Sequence, residues 1–366
     1  MFLLLNQPSK LLCFRRKRPV LVRSSSGFSP TSLQTPACNI TDAIPCVDRA
    51  DLGKLVIANA NETSCTFLEK KVPMELVKNP MVTIGSSHGW IATLKEDGIL
   101  RLQDDLNPHA SYTEPKHIPL PPLVTLPHCQ TQIVTNVSMS SSSPEDEDCV
   151  VAVKFLGPQL SFCRPAQSNS EWINIRIANA CFHSSRVMFS ERHGKFCILG
   201  SGGHIIASWD LLHTHKQNPK FQRLRFKNLP KLTKTKRELM DSCYKSEHLV
   251  ESRTTGETFL VKLYRKAVCR GMSKLRTKVL MVFRLDDKGN AVYTQDIGDL
   301  CIILAKSEPF CISIGSGPRM FYPNHVDFQD GGEAGYFNLA KSTSICANWG
   351  AWTGHYVPPQ NIENIV

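Results

Sequence analysis

Residues 186–209 read RVMFSERHGKFCILGSGGHIIASW, and this stretch decides the fold. Three apolar runs, Arg186–Ser190, Phe196–Leu199 and His204–Trp209, are each too short for a helix. They are separated by His193-Gly194 and Gly202-Gly203. Glycine reaches positive φ without strain, so each break is a turn and the runs are consecutive antiparallel strands.

The same pattern extends in both directions. Met81–Ser86 and Gly89–Leu94 flank a short break, and Glu96-Asp97-Gly98 turns the chain into Ile99–Gln103. Val150–Phe155 meets Gln159–Cys163 across Gly157-Pro158. Ile173, Ile175 and Ile177 alternate with polar or bulky neighbours, the period of a half-buried strand, and are expected to face between layers. Glu247–Ser252, Thr258–Tyr264, Val279–Leu285, Ala291–Gln295, Cys301–Leu304, Phe310–Ile314, Met320–Tyr322 and Tyr336–Leu339 continue the series. Only Lys234–Cys243 reads as a helix, with Leu239, Met240 and Cys243 on one side.

Roughly twenty short strands with one or two short helices define an all-β chain, more strands than a sandwich consumes. At about four strands per blade they imply a divergent β-propeller of roughly five to seven blades. Trp209-Asp210 is the lone Trp-Asp pair, and the diglycines at 202–203 and 331–332 keep no kelch period, so familiar repeats do not show. The expected organisation is a disordered leader over 1–40, a propeller over 50–350 and a C-terminal tail over 351–366.

The leader is set apart by composition. It holds Lys10, Arg15, Arg16, Lys17, Arg18 and Arg23, with no acid before Asp42, apolar clusters at Phe2–Leu5 and Leu11–Phe14, and many serines. A basic, acid-free, partly amphipathic start is the signature of an organellar transit peptide. Sparse early Ser and Thr favour a mitochondrion over a plastid, with processing expected between Arg18 and Cys38. No apolar run is long enough to cross a membrane as a helix.

The chain carries a formal charge of +11, and without the leader +5. Its 14 cysteines include no C-x-x-C and several lie inside apolar strands, so they read as reduced core thiols. There is no P-loop, G-x-S-x-G, H-E-x-x-H or G-x-G-x-x-G. No catalytic residue, cofactor or metal is therefore expected. The acids Glu145–Asp148 read as a solvated loop.

Two features remain as candidate sites. His88 and Trp90, in Ser86-Ser87-His88-Gly89-Trp90, are candidates for a propeller mouth, against a reading in which they simply pack. The second is a basic stretch from 216 to 237 with no acid, whose candidate binding residues are Lys220, Arg223, Arg225, Lys227, Lys234, Lys236 and Arg237. A further acid-free region spans Lys262 to Arg284. Phe221, Phe226 and Tyr264 are interleaved with these cations, as a nucleic-acid surface uses aromatics for stacking.

Ser86-Ser87-His88-Gly89-Trp90, Gly98-Ile99-Leu100-Arg101-Leu102 and Ile118-Pro119-Leu120-Pro121-Pro122-Leu123 follow one another in the order seen in the plant family of domain of unknown function 295. Glu247–Ser252, Gly256-Glu257, Val282–Asp286, Ile297–Ile302, Met320-Phe321-Tyr322 and Gly335–Leu339 are similar to its second half. The resemblance covers about residues 50–345 and implies the β-propeller also called the KIB propeller. Many relatives carry an N-terminal F-box for ubiquitin-ligase docking. Here a basic leader stands in its place, which resembles the organelle-targeted branch and argues against a ubiquitin-ligase substrate adaptor. Two functions are expected from these observations. The first is a non-enzymatic organellar interaction protein with a protein partner. The second is an organellar RNA- or nucleotide-binding accessory protein using the stretches 216–237 and 262–284.

Overall fold

The computed structural model describes residues 34–79, 81–126, 133–211, 218–267, 275–315, 320–330, 333–346 and 353–361. Residues 1–33, most of the expected leader, lie outside them.

The chain lays down its sheets one after another. β1 (Cys38–Pro45), β2 (Leu52–Asn59) and β3 (Cys65–Pro73) precede a short helix α1 (Met74–Lys78). β4 (Thr83–Ser87), β5 (Trp90–Leu94), β6 (Leu100–Gln103) and β7 (His117–Pro119) form the second sheet. The third contains β8 (Val134–Met139), β9 (Val151–Phe155), β10 (Gln159–Cys163) and β11 (Ile173–Arg176). The fourth contains β12 (Val187–Ser190), β13 (Lys195–Leu199), β14 (Ile205–Trp209) and β15 (Lys220–Arg223).

The last two sheets have five strands each. β16 (Arg225–Lys227) leads to helix α2 (Lys234–Asp241), then β17 (Tyr244–Glu251), β18 (Thr258–Ala267), β19 (Leu275–Leu285) and β20 (Asn290–Thr294). β16 returns alongside β20 in parallel. β21 (Leu300–Leu304), β22 (Phe310–Ser313), β23 (His325–Asp330), β24 (Glu333–Asn338) and β25 (Thr343–Cys346) stack in the order β22-β21-β23-β24-β25. Finally β26 (His355–Val357) pairs antiparallel with β1 through Cys38–Val357, Asn39–Tyr356 and Ile40–His355.

Six sheets closed by strands from opposite ends of the sequence make a six-bladed β-propeller, inside the expected range of blades. The expected limits of 50 and 350 were too narrow. Blade 1 takes β1 from before residue 50 and β26 from the presumed tail. A three-residue strand such as His355–Val357 has no periodicity to read, and only pairing with β1 defines it. The expected helix over Lys234–Cys243 is α2, with the Thr233 hydroxyl capping Lys236 N.

Among the described residues, six apolar clusters form the core, one at each junction between neighbouring blades. Ile175 and Ile177 fill the junction of blades 3 and 4 as expected. Ile173 does not: it opens the edge strand β11 and is 47% exposed.

Two buried lysines join blades by capping carbonyls. Lys70 on β3 donates to Asp104 O (3.2 Å) and Asn107 O (2.7 Å) of blade 2. Burial lowers its pKa to about 8. Lys154 on β9 donates to Gly157 O (2.9 Å), to His183 O (3.0 Å) on the approach to blade 4, and to Phe155 O. Cys38, Cys149 and Cys197 behave as core thiols, each pushed up to about 12 by burial.

Candidate functional site

The strands nearest the propeller axis end in small polar residues, and these bond the next blade rather than their own. Asn136 on β8 donates to Val187 O (2.6 Å) and accepts from Val187 N (2.9 Å) on β12. Ser87 Oγ accepts from Met139 N (3.2 Å), and Ser138 Oγ accepts from Phe189 N (3.0 Å). Ser190 Oγ donates to Glu251 on β17 (2.5 Å). Side-chain length sets this role, because a short hydroxyl or amide can span two converging backbones without prying them apart.

Blade 6 completes the hub. Between β21 and β22 the chain crosses to β4, where Glu308 N donates to Ser86 O (2.8 Å) and Ser86 pairs with Ser307. The Glu308 carboxylate then accepts from Ser87 Oγ (2.5 Å), Ser138 Oγ (2.8 Å) and Phe189 N (3.3 Å). One side chain therefore ties blades 2, 3, 4 and 6 together. Burial raises its pKa, opposed by these donors and by Arg253.

Beside Glu308 lies a cavity of about 30 Å³, lined by Ser86, Ser87, His88, Glu191, Glu251, Arg253, Ser307 and Tyr356 among others. His88 and Gly89 are the two central residues of a tight turn between Ser87 and Trp90, with φ of 52° and 87°. Positive φ at both positions is the two-residue hairpin geometry that matches strand twist. A Cβ on Gly89 would also sit 2.6 Å from Gln360 Nε2. The Arg253 guanidinium lies 3.1 Å from His88 Nδ1 and is paired with Glu191 at 2.8 Å. Burial, and then Arg253, lower the His88 pKa to about 3, so the ring is neutral. The opposite end of the axis carries Lys306, which donates to Thr83 (2.6 Å), and His355 Nε2 3.0 Å from the same hydroxyl.

The sequence candidates separate. His88 lines the axial cavity, whereas Trp90 packs between blades 2 and 3 and donates to Ser142 O (3.0 Å). Lys220, Arg223, Arg225, Lys227, Lys234, Lys236 and Arg237 are all exposed. Only buried Leu224 separates β15 from β16, so four of these cations run along the outer seam between blades 4 and 5. Met240 of α2 packs into the same seam.

Of the three interleaved aromatics, only Phe221 is exposed beside them. Phe226 turns inward against Phe283 (4.9 Å) under the Lys262 ammonium (4.2 Å), and Tyr264 packs into the same core. Phe221 is 58% exposed, with its ring 6.1 Å from that of Phe182. The stretch 262–284 is likewise no single surface: Lys262 donates to Gly202 O (2.8 Å), Arg265 is buried against Ser246, and Arg284 pairs with Glu257 (2.9 Å). Strand alternation sends neighbouring residues to opposite faces, so basic density along the sequence does not become density on one side. Lys216, Arg270 and Lys274 lie outside the described residues.

Sequence reading missed Glu308, Arg253 and Ser138 as hub residues. A signal was present, since the Asn136–Val187 and Ser138–Phe189 bonds each span 51 residues and Ser87–Met139 spans 52. A near-constant spacing of polar strand ends marks successive blades.

A family model described as KIB1-4 beta-propeller matches residues 60–344. No curated protein matches the sequence. Among solved structures, the Cps50 (Swd1) β-propeller domain of Myceliophteria thermophila is 7% identical, with 88% of this chain and 89% of that one covered at a TM-score of 0.37. A member of the DUF4221 family from Bacteroides vulgatus is 9% identical, with 72% and 85% covered at 0.38. The N-terminal domain of Nup159 is 10% identical at 0.32; 71% of this chain is covered and it spans 62% of that domain.

Proposed function

The chain belongs to the KIB1-4 β-propeller family, and from that premise we propose that it is a non-enzymatic interaction scaffold that binds a protein partner inside an organelle. The observation that carries this reading is the filled axis. There Glu308 and the hub serines bond blades 2, 3, 4 and 6 to one another, and the cavity beside them is small, about 30 Å³. The molecule offers rigid surfaces, and a rigid six-bladed frame presents them at little entropic cost. The basic, acid-free start of the sequence supports a mitochondrial setting, with a plastid as the alternative.

The test is recovery of the tagged protein from purified mitochondria with and without nuclease, followed by mass spectrometry. A stoichiometric partner that survives nuclease is the expected result. Association that vanishes with nuclease overturns it in favour of the second reading, an RNA- or nucleotide-binding accessory protein. The four exposed cations along the seam of blades 4 and 5, with three more on α2, favour that alternative.

A further inference from the structure

We propose that residues 220–227 bind an extended acidic segment of the protein partner, with a carboxylate at every second position, an inference that rests on the scaffold reading above. β15 and β16 run on from one another as a single extended strand shared between two blades. Leu224 N donates to His204 O beside β14, and Arg225 N donates to Gly289 O beside β20, both at 2.8 Å. Consecutive N–H groups that point opposite ways belong to an unbroken strand, whose side chains alternate between two faces. Leu224 is buried, and Phe226 packs with it into the core between blades 4 and 5. The other face therefore carries Phe221, Arg223, Arg225 and Lys227, all exposed. At a rise of about 3.3 Å per residue, its three cations repeat every ~7 Å.

That row has no counter-charge. Among the described residues none of the three cations is in an ion pair, and the neighbouring Asp287 is taken by Arg192 at 2.7 Å. Like charges in line repel, and an anionic ligand would relieve the repulsion. Cations on a strand also serve to blunt a free edge against pairing. Here β15 and β16 have only four and three residues, too short to template an added strand, so edge protection does not explain the row. The interval selects the ligand. An extended peptide brings alternate side chains to one face at the same spacing, so successive carboxylates meet successive cations, with bidentate geometry open to the arginines. Single-stranded RNA would need rings for stacking, and the one ring on this face, Phe221, already stacks on Phe182 at 6.1 Å. Exposed Glu238 and Asp241 on α2 also stand among the cations that follow, where they would repel a phosphate backbone.

The experiment measures binding of fluorescent probes to the full chain by anisotropy at low salt. The probes are a Ser-Glu repeat of about nine residues, the length of the strand, a peptide of the same composition with its glutamates in one block, and a uridine oligonucleotide. The repeat should bind at least about threefold tighter than the block peptide, the loss of one or more exposed charge contacts, and should weaken with salt. Arg223→Ala and Lys227→Ala should each weaken it by roughly threefold. Gln222→Arg combined with Arg223→Gln keeps the net charge but moves one guanidinium off the row, and should lose as much as Arg223→Ala. Lys95→Ala, the same charge change on an exposed turn of blade 2, should bind as the parent does. Equal affinity for repeat and block peptides, binding of neither, or row variants that bind like the parent overturns the inference while the scaffold reading stands. RNA that binds tighter than the repeat and weakens with the same variants also overturns it, and gives the seam to the RNA-binding reading. The scaffold reading itself falls only on the organelle experiment above.

Discussion

Buried ionisable residues are where single side chains carry most of the stability. Lys154 donates to three carbonyls at the junction of blades 3 and 4, those of Phe155, Gly157 and His183. Lys154→Met should therefore destabilise the fold by about 2–4 kcal/mol, read from urea unfolding. An unchanged midpoint would show that water replaces the ammonium. Asp327 is held by burial at a pKa of about 7, with the Tyr356 hydroxyl donating to it at 3.1 Å. An unfolded aspartate loses its proton near pH 4, while the folded one keeps it until about pH 7. The unfolded state then holds fewer protons, so this residue makes stability fall by about 1.4 kcal/mol per pH unit across that window. Asp327→Asn should remove that slope, and parallel pH profiles for the two proteins would refute the assignment. None of this was legible in the sequence, where Lys154 and Asp327 look like any charged residue in a strand. His88 was legible because Gly follows it. Its partner Arg253 lies 165 residues away and was not.

At the scale of elements, strands and their turns were readable because apolar runs and glycines are local signals. The outermost and shortest strands were not, because pairing alone defines them. β26 is the sharpest case. Ending the chain at Thr353 removes the three pairs with β1 and the buried Tyr356 and Val357. We expect a loss of about 3 kcal/mol or more and a broadened denaturation curve. A truncated chain that unfolds like the parent would mean that blade 1 is stable as three strands. The basic seam should behave oppositely. Arg223, Arg225, Lys234 and Lys236 are exposed, so reversing all four to Glu should cost no more than about 0.5 kcal/mol each. Binding of an anionic partner, if it uses this seam, should fall and should also fall with added salt. Unfolding on charge reversal would instead make the seam structural.

For the whole molecule, the ring sets the acid limit of stability. His88 and His355 are both held neutral to about pH 3, by burial first and then by Arg253 and Lys306 respectively. Each takes up a proton near pH 6.5 once unfolded, so their contribution is complete above that pH and is lost as pH falls toward 3. The slope is about 1.4 kcal/mol per unit for each histidine, opposed by Asp327 above about pH 4, and His88→Gln should remove half of the histidine contribution. The ring also sets where a leader can be removed. Ala37, Cys38 and Ile40 are buried, and Thr35 exchanges backbone and hydroxyl bonds with Gln360. If the protein is processed in an organelle, N-terminal sequencing should place the cut before Gln34, a narrower window than Arg18 to Cys38. A mature chain starting beyond Cys38 would contradict the closure described above.

The ring is fastened by residues 38–40 and 355–357, so the fastening cannot form until nearly the whole chain has been delivered. Until then β1 presents a bare edge, the situation in which a strand accepts whichever complementary strand arrives first. At high local concentration that strand can come from a second molecule. Two copies could then exchange C-terminal segments and emerge as a linked dimer with every native pairing intact. Size-exclusion chromatography after refolding at rising protein concentration would display such dimers. The same preparation made with the chain ended at Thr353 would lack them.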